Sequence, residues 1–313
     1  MATGSGGDGV KGREIEPARP LAARIEASAL QAGLYLVATP IGTARDITLR
    51  ALDVLNSADL LAAEDTRSLR RLLEIHGVPL GDRTVLAYHD HNGARVRPKL
   101  LGALAEGRSV AYASEAGTPM ISDPGFDLVR AAREDGLPVT TAPGASAVIA
   151  ALTIAGLPTD RFLFGGFLPN ASGARRKALE ELRAAPATLA FYESPKRLGA
   201  MLADAAETLG PDRPAAVCRE LTKRFEECRE GSLAALAEIY ADTTPKGEIV
   251  VLIGKGNSED ISESDLDHSL SEALQTMSVR DAADAVSGMY GVKRRPVYQR
   301  AMALAKERAE GGD

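Results

Sequence analysis

Two acidic residues of the chain each stand close to basic residues, in patterns that suit acid–base chemistry. Asp65 lies two residues before Arg67, and Glu193 lies shortly before Lys196 and Arg197. Acids and bases mixed in this way suit an anionic substrate from which a proton must also be removed. The same spacing fits ion pairs that only hold the structure together, so both interpretations stay open.

Loops rich in Gly, Pro, Ser and Thr are a second type of candidate site. Glycine lets backbone N–H and C=O groups approach a ligand closely, and in open α/β sheets ligands bind beyond the carboxyl ends of the strands. One such loop is more often an ordinary turn, whereas four at successive strand ends favour a ligand site. The four loops are 39–42, 114–119, 122–125 and 143–146.

Several common sequence motifs of catalytic and ligand-binding sites are absent at the positions where they would indicate such a site. No G-x-G-x-x-G follows a predicted strand, and no P-loop or G-x-S-x-G elbow occurs. The one histidine cluster, at 89–92, lacks further converging ligands, so no metal site is predicted. Cys218 and Cys228 form neither a C-x-x-C motif nor a disulfide framework.

Two runs of three basic residues are candidates for phosphate contacts. They are Arg175-Arg176-Lys177 and Lys293-Arg294-Arg295. A charge run is usually a solvated helix face, but together the two runs favour phosphate-facing patches. Aromatic residues make up only 4% of the chain and Trp is absent, so a generic stacking groove for single strands is not indicated.

The elements that must position these residues alternate between short apolar strands and helices, which predicts an α/β fold. The N-terminal set of strands is expected to form a mostly parallel sheet, and the set that follows it a mixed sheet. An acidic segment without Lys or Arg precedes two C-terminal helices that resemble a helix-turn-helix unit. The predicted parts are a disordered tail at 1–32, α/β domains at 33–156 and 157–256, an acidic linker at 257–275, and a helical domain at 276–313.

Composition limits the class of protein. The 313 residues carry 37 Lys and Arg against 43 Asp and Glu, a net charge of −6, and 45% are hydrophobic. No apolar run is long enough to span a membrane, and the N-terminus lacks a signal-peptide pattern, so a soluble cytoplasmic protein is expected. The acidity argues against a broad nucleic-acid surface, but residues 278–308 hold seven basic and three acidic residues, a local charge of +4.

Eight long motifs occur in order along the chain. They are LYLVATPIGTARDITLRALDVL, AAEDTRSLRRLL, YHDHN, SEAGTPMISDPG, APGASAVIAALTIAGLPTDRFLFGGFLP, FYESPKR, CRELTKRFEE and KGEIVVLIG. This set, over about residues 34–308, closely resembles the ribosomal RNA small-subunit methyltransferase I family, within the tetrapyrrole methylase superfamily. The helical segment after residue 276 is similar to the small C-terminal domain of that family.

The resemblance implies an enzyme that transfers the methyl group of S-adenosylmethionine to the ribose 2′-hydroxyl of a cytidine. The implied substrate is the decoding region of 16S rRNA in the small ribosomal subunit. The resemblance also implies a homodimer, with the cofactor held largely by backbone in a cleft between two α/β domains. Neither a membrane nor DNA is an implied partner.

Cofactor contacts follow from the same resemblance, motif by motif. The implied residues are Pro40, Gly42, Ser114, Glu115, Ala116, Gly117, Thr118, Ile121, Ser146, Tyr192, Gly247, Glu248, Ile249 and Val250. Two departures stand out, since the family usually has Asp at the position of Glu115 and commonly Asn-Leu at Thr43-Ala44. Because the Glu115 side chain is one methylene longer than Asp, a cofactor contact there requires the loop to lie slightly farther back.

Asp65 and Glu193 are the two candidates for a general base, and the sequence does not rank them. The predicted substrate-binding residues are Arg67, Arg175, Arg176, Lys177, Lys196, Arg197, Lys223, Lys293, Arg294 and Arg295. One alternative is a small-molecule methyltransferase acting on a porphyrinoid, which would not need the basic helical domain. Another is a non-catalytic RNA- or nucleotide-binding module, which the full set of intact loops disfavours.

Overall fold

The structure, a computed structural model, describes residues 25–122, 125–256, 263–290 and 292–310. The described chain divides into two compact units. The first unit consists of 25–37, 48–115 and 125–142, and the second of 38–47, 116–122 and the described residues from 143 onward. Within the described part of the chain, no helix is both long and apolar enough to cross a membrane.

The first unit is built on a five-stranded sheet in which every strand pair is parallel. Its strands are β1 (Gly33–Val37), β2 (Leu60–Ala63), β3 (Val85–Ala87), β4 (Ser109–Ala113) and β5 (Val139–Ala142). The order is β3-β2-β4-β1-β5. The residues of β2 and β4 are all buried, as expected for central parallel strands covered on both faces. The predicted parallel sheet is confirmed.

Four α-helices complete the first unit. They are α1 (Leu49–Ser57), α2 (Thr66–His76), α3 (Gly93–Ala105) and α4 (Phe126–Glu134). Thr48 caps α1, because its side-chain oxygen accepts a hydrogen bond from the N–H of Ala51. The structure describes residues 25–32 of the predicted disordered tail, and there the N–H of Glu26 donates to Asp53 on α1 over 2.7 Å. Residues 1–24, which hold most of that predicted tail, lie outside the described residues.

The second unit holds a mixed five-stranded sheet, as predicted. Its strands are β6 (Phe162–Phe167), β7 (Thr188–Glu193), β8 (Pro214–Arg219), β9 (Glu227–Ser232) and β10 (Ile249–Ile253). The order is β6-β7-β10-β8-β9, with only β6 and β7 parallel. Its helices are α5 (Ala147–Ile154), α6 (Ser172–Glu181), α7 (Leu198–Leu209) and α8 (Leu233–Ala241). One apolar cluster includes residues of α6, α7 and α8, and another contains residues of α5 together with Ile41 and Leu221.

Three further helices follow, α9 (Glu263–Ala273), α10 (Val279–Tyr290) and α11 (Arg294–Glu310). The two predicted C-terminal helices correspond to α10 and α11. The prediction of a solvated linker at 257–275 is wrong for 263–273, because Leu266, Leu270 and Ala273 form an apolar stripe at helical spacing. Leu270 is fully buried in a core shared with α10 and α11. Residues 257–262 lie outside the described residues.

Candidate functional site

A cavity of about 360 Å³ lies within the second unit, where several of the predicted loops meet. This volume is within the ordinary range of sites for small molecules and cofactors. Its walls are mostly apolar side chains and loop backbone. The lining residues are Ile41, Ala116, Gly117, Thr118, Ile121, Ser146, Ala147, Phe167, Tyr192, Glu193, Ser194, Pro195, Leu221, Gly247, Glu248, Ile249 and Val250.

Backbone hydrogen bonds hold the cavity loops together. Thr39 and Gly117 bond reciprocally through their main chains, at 2.9 and 3.0 Å. Gly117 has φ +78°, a left-handed conformation that favours glycine. The hydroxyl of Thr118 then donates to the carbonyl of Ala145 over 2.9 Å, which fixes this loop to the start of α5. The loops after β1 and β4 and before α5 therefore form one braced wall.

Two apolar side chains of the cavity are each presented between residues with left-handed backbone. Ile121 lies between Met120 and Ser122, whose φ angles are +70° and +63°. Leu221 lies between Glu220 and Thr222, at +51° and +63°. Non-glycine residues in this region cost of order 1–3 kcal/mol each and cluster at ligand sites. Ile121 and Leu221 are thus each held between two residues of strained backbone, a pattern that favours a ligand site at this wall.

An ion-pair brace supports the loop that carries Leu221. The ammonium group of Lys223 donates to Glu220 over 2.9 Å and to Glu248 over 2.8 Å. Burial alone would lower the pKa of Lys223, but these two hydrogen bonds raise it. Gly247 has φ +99°, a backbone conformation that favours glycine, and a Cβ there would lie 2.3 Å from the Glu220 carboxyl carbon and displace this side chain. The predicted phosphate ligand Lys223 is therefore a structural cation of the cavity wall.

Glu193 is a buried carboxyl group in the wall of the cavity. It ends β7, and its side chain is fully shielded from solvent. Oε1 accepts a hydrogen bond from the N–H of Ser194 at 2.7 Å and lies 3.2 Å from Nε of Arg197. Oε2 has no hydrogen-bond partner among the described residues. Burial raises the pKa of Glu193, against the opposing effects of Ser194, Arg197 and Arg175.

Asp65, the other candidate base, belongs to the first unit and does not line this cavity. Its carboxylate caps α2 by accepting from the N–H groups of Arg67 and Ser68, at 2.7 and 3.4 Å. The side chain of Arg67 also pairs with it at 3.0 Å, and this hydrogen bond lowers the pKa of Asp65. The local geometry is that of a helix cap.

Ten of the fourteen residues expected at the cofactor line the cavity. They are Ala116, Gly117, Thr118, Ile121, Ser146, Tyr192, Gly247, Glu248, Ile249 and Val250. Pro40, Gly42, Ser114 and Glu115 do not line it. Gly42 has another reason to be glycine, because a Cβ there would lie 2.5 Å from Cγ of Lys223. Ser114 and Glu115 fall in the first unit, and Glu115 is exposed.

Sequence reasoning missed six lining residues: Ile41, Ala147, Phe167, Ser194, Pro195 and Leu221. Most are apolar, and an apolar residue in a loop carries no chemical signal. Ile41 lies between two residues that were chosen, Pro40 and Gly42, and Leu221 lies two residues before the chosen Lys223. Phe167 could have been suspected from its place at the end of an aromatic strand, where it now contacts Tyr192 edge to face at 5.6 Å.

Three of the predicted phosphate-binding arginines bond to groups of the protein itself. Arg175 is buried, with Nε 2.7 Å from Asp204. Arg176 pairs with the same carboxylate at 2.8 Å, and Arg197 donates to the carbonyl of Leu168. The prediction that Arg175 contacts substrate is wrong, because its guanidinium is already shared between Asp204 and two loop carbonyls.

The remaining predicted cations differ in their availability. Arg294 pairs with Asp284. The side chain of Arg67 is 91% exposed and free to reach a ligand beyond its pairing with Asp65. Lys177, Lys196, Lys293 and Arg295 are also exposed. Among the described residues, no group of His, Cys, Asp or Glu is arranged to hold a metal ion.

The comparisons with known proteins agree with the fold. Residues 33–237 match the family described as Tetrapyrrole (Corrin/Porphyrin) Methylases, and residues 260–305 match the RsmI C-terminal HTH domain. A solved uroporphyrin-III C-methyltransferase from Thermus thermophilus, complexed with S-adenyl homocysteine, is similar with TM-score 0.50 at 21% identity. That match covers 70% of this chain and 96% of that one.

Curated relatives are similar over nearly their whole length. The chain is 49% identical to the ribosomal RNA small subunit methyltransferase I of Mesorhizobium japonicum, over 92% of this chain and 97% of the relative. It is 42% identical to the protein of the same name from Escherichia coli O157:H7, over 87% and 95% respectively. The chain therefore belongs to the ribosomal RNA small subunit methyltransferase I family, with the fold of the tetrapyrrole methylases.

Proposed function

We propose that this protein is an S-adenosylmethionine-dependent methyltransferase that modifies the ribose 2′-hydroxyl of a cytidine in the decoding region of 16S rRNA. The observation that carries the proposal is the cavity walled by Gly- and Pro-rich loops, in a chain whose relatives bear that name over nearly their full length. The rRNA of the small subunit is the macromolecular substrate.

The residues of the cavity fit the cofactor. Gly117 and Gly247 let backbone come close to a ligand, and Ile121 and Leu221 supply apolar contact. Oε2 of Glu193 is a buried acceptor that still lacks a donor, and a cationic sulfonium ligand carrying amino and hydroxyl groups offers several. When bound, S-adenosylmethionine supplies an electrophilic methyl group. The chain then has to align a hydroxyl group with it and exclude water.

Glu193 is the better candidate for the general base. A base must be deprotonated yet sufficiently basic, and burial raises the pKa of Glu193 towards neutrality. Asp65 is a weaker base, because the hydrogen bonds that make it a helix cap stabilise its charged form. We assign Glu193 the acceptance of the 2′-hydroxyl proton and Asp65 a positioning role for α2 and Arg67.

Binding of RNA by the C-terminal helices follows from their exposed cations. Lys293 and Arg295 lie at the start of α11 and are exposed, as is Arg280 on α10. Exposed cations of this kind suit phosphate groups. A small porphyrinoid substrate would give these helices nothing to bind, which favours RNA over that alternative.

We also propose a homodimer formed through α5 and β6. The helix is apolar on all sides: Val148 and Leu152 are buried, while Ile149 is 49% exposed. Phe162, on the edge strand β6, is 44% exposed and lines the same surface groove as Ile149. An exposed apolar face of this kind is usually an interface, and a second copy offers the matching face. Sedimentation tests this interface: the wild-type protein should sediment as a dimer and Ile149→Asp as a monomer.

Transfer of tritium from labelled S-adenosylmethionine tests the activity. The full chain is incubated with small ribosomal subunits that lack the modification, and in parallel with a uroporphyrinogen-type tetrapyrrole. The expected result is label in the rRNA. Its position is mapped to a cytidine 2′-O by the resistance of the adjacent phosphodiester bond to alkaline cleavage. Label found only in the tetrapyrrole, or on a base of the rRNA, would refute the proposal. Binding of subunits without any transfer would identify a non-catalytic module.

A further inference from the structure

The loop between β8 and β9 exposes one aromatic and one cationic side chain to solvent. Phe225 is 64% exposed, although Phe is normally among the buried residue types. The guanidinium carbon of Arg224 lies 5.5 Å from the centre of its ring, a cation–π arrangement that covers part of one face. Arg224 forms no ion pair with any residue that the structure describes.

This loop is fixed in place although its tip is exposed. Lys223 is held by two carboxylates, as described above, and Thr222 donates through its N–H to Glu226 over 2.6 Å. From the loop after β1, the N–H of Thr43 donates to the hydroxyl of Thr222 over 3.1 Å. The aromatic ring is thus presented on a rigid support, which is the arrangement expected of a binding anchor.

The same loop forms part of the cofactor cavity. Leu221 lines it, and Lys223 is joined to Glu248, which also lines it. Phe225 therefore stands a few residues from the wall that the proposed function assigns to the methyl donor. Four residues of extended chain span at most about 14 Å, so the backbone of Phe225 lies within that distance of Leu221.

The local charge indicates which kind of RNA group would be held. Glu220, Glu226 and Glu248 outnumber Lys223 and Arg224, so the loop does not attract a phosphate backbone. A flat apolar ring beside a guanidinium instead matches the face of a nucleobase. We infer that Phe225, supported by Arg224, stacks on an unpaired base next to the target nucleotide. This inference rests on the proposed function.

The test compares full-length variants on small ribosomal subunits that lack the modification. Phe225→Ala and Phe225→Leu are expected to raise the KM for subunits about 5- to 100-fold, the range found when a stacked aromatic is removed. Phe225→Trp should stay close to wild type, because it keeps the stacking face. The Kd for S-adenosylmethionine, measured by calorimetry, should change less than about twofold in all three, because the ring does not line the cavity.

Phe126→Ala is the matched control. Phe126 is 65% exposed and also has a guanidinium, that of Arg130, 5.5 Å from its ring, but it lies in the first unit. Its KM should equal that of wild type. Stacking would be refuted if Phe225→Ala had the same KM for subunits as wild type, or if Phe225→Leu kept the wild-type KM. Conversion of the dimer to a monomer by Phe225→Ala would instead assign the ring to contact between copies. A wild-type protein without activity on subunits would refute the proposed function itself.

Discussion

The ammonium group of Lys223 lies 2.8 Å from a carboxylate oxygen of Glu248, and this pair joins the loop after β8 to the residue just before β10. With Glu220 as a second acceptor, the cation is neutralised within the cavity wall. Lys223→Met should therefore weaken S-adenosylmethionine binding about tenfold, the effect of losing one charged hydrogen bond of modest strength. Calorimetry measures this Kd.

The salt dependence of RNA binding should be unchanged in Lys223→Met, since the side chain has no free charge to offer a phosphate group. Lys246→Met, at a nearby exposed lysine, is the control for S-adenosylmethionine affinity. A flatter salt slope with intact cofactor binding would restore Lys223 as a phosphate ligand.

Removal of Asp204 should lower the free energy of unfolding far more than removal of an exposed charge on α6. Asp204→Ala leaves the buried guanidinium of Arg175 without its carboxylate, which costs about 3–5 kcal/mol of the free energy of unfolding. Lys177→Ala, on the same helix as Arg175 but exposed, should leave the urea midpoint close to wild type. Similar midpoints for the two variants would show that the pair is unimportant.

The same carboxylate predicts a pH dependence of stability. Burial raises the pKa of Asp204, but the hydrogen bonds from Arg176, Arg175 and Ser172 outweigh it and the pKa lies below its ordinary value. The Asp204 carboxylate therefore contributes to the free energy of unfolding at any pH above the pKa of this residue in the unfolded chain. This contribution is lost as the pH falls through the lower pKa of the folded protein. Urea midpoints measured from neutral pH into acid should fall less steeply for Asp204→Asn than for wild type. Parallel slopes would contradict this.

Asp65 should act on stability through the cap of α2. Asp65→Ala is expected to lower the free energy of unfolding by about 0.5–2 kcal/mol, whereas Asp65→Ser keeps a capping oxygen and most of the stability. Urea unfolding followed by circular dichroism measures both. If Asp65→Ser is as stable as wild type yet inactive, the carboxylate takes part in the chemistry after all.

Glu193 should determine the acidic side of the pH–rate profile. Because burial raises its pKa, kcat/KM should begin to fall at a higher pH than for an ordinary glutamate as the base becomes protonated. Glu193→Gln should lower kcat by about 10²–10⁴-fold and remove that limb of the profile. Single-turnover rates between pH 5 and 9 measure this. A variant that keeps both the rate and the acidic limb would exclude Glu193 as the base.

The sequence identified backbone-rich loops well and charged side chains poorly. Gly117 was recognised because it lies in a Gly- and Pro-rich loop at the end of a predicted strand, whereas Gly247 was implied only by the family resemblance. Both have a left-handed φ, which favours glycine. Arg175 was misjudged because its partner, Asp204, lies 29 residues away on another helix. The acidic segment around Leu270 was taken for a linker because its charges hid an apolar stripe whose partners lie on α10 and α11. Long-range pairing decided both cases, and local pattern does not reveal it.

The cavity draws on three separate stretches of the chain: the loop after β1, the loop after β4, and the residues from 143 onward. A chimaera of two relatives joined at residues 156 and 157, the domain boundary that the sequence suggests, would combine Ile41 and Ser146 of one parent with Tyr192 and Leu221 of the other. Such a hybrid would contain two intact sheets and a cofactor wall of mixed parentage. Exchange of substrate preference between relatives therefore requires the loops after β1 and β4 to move together with the second sheet.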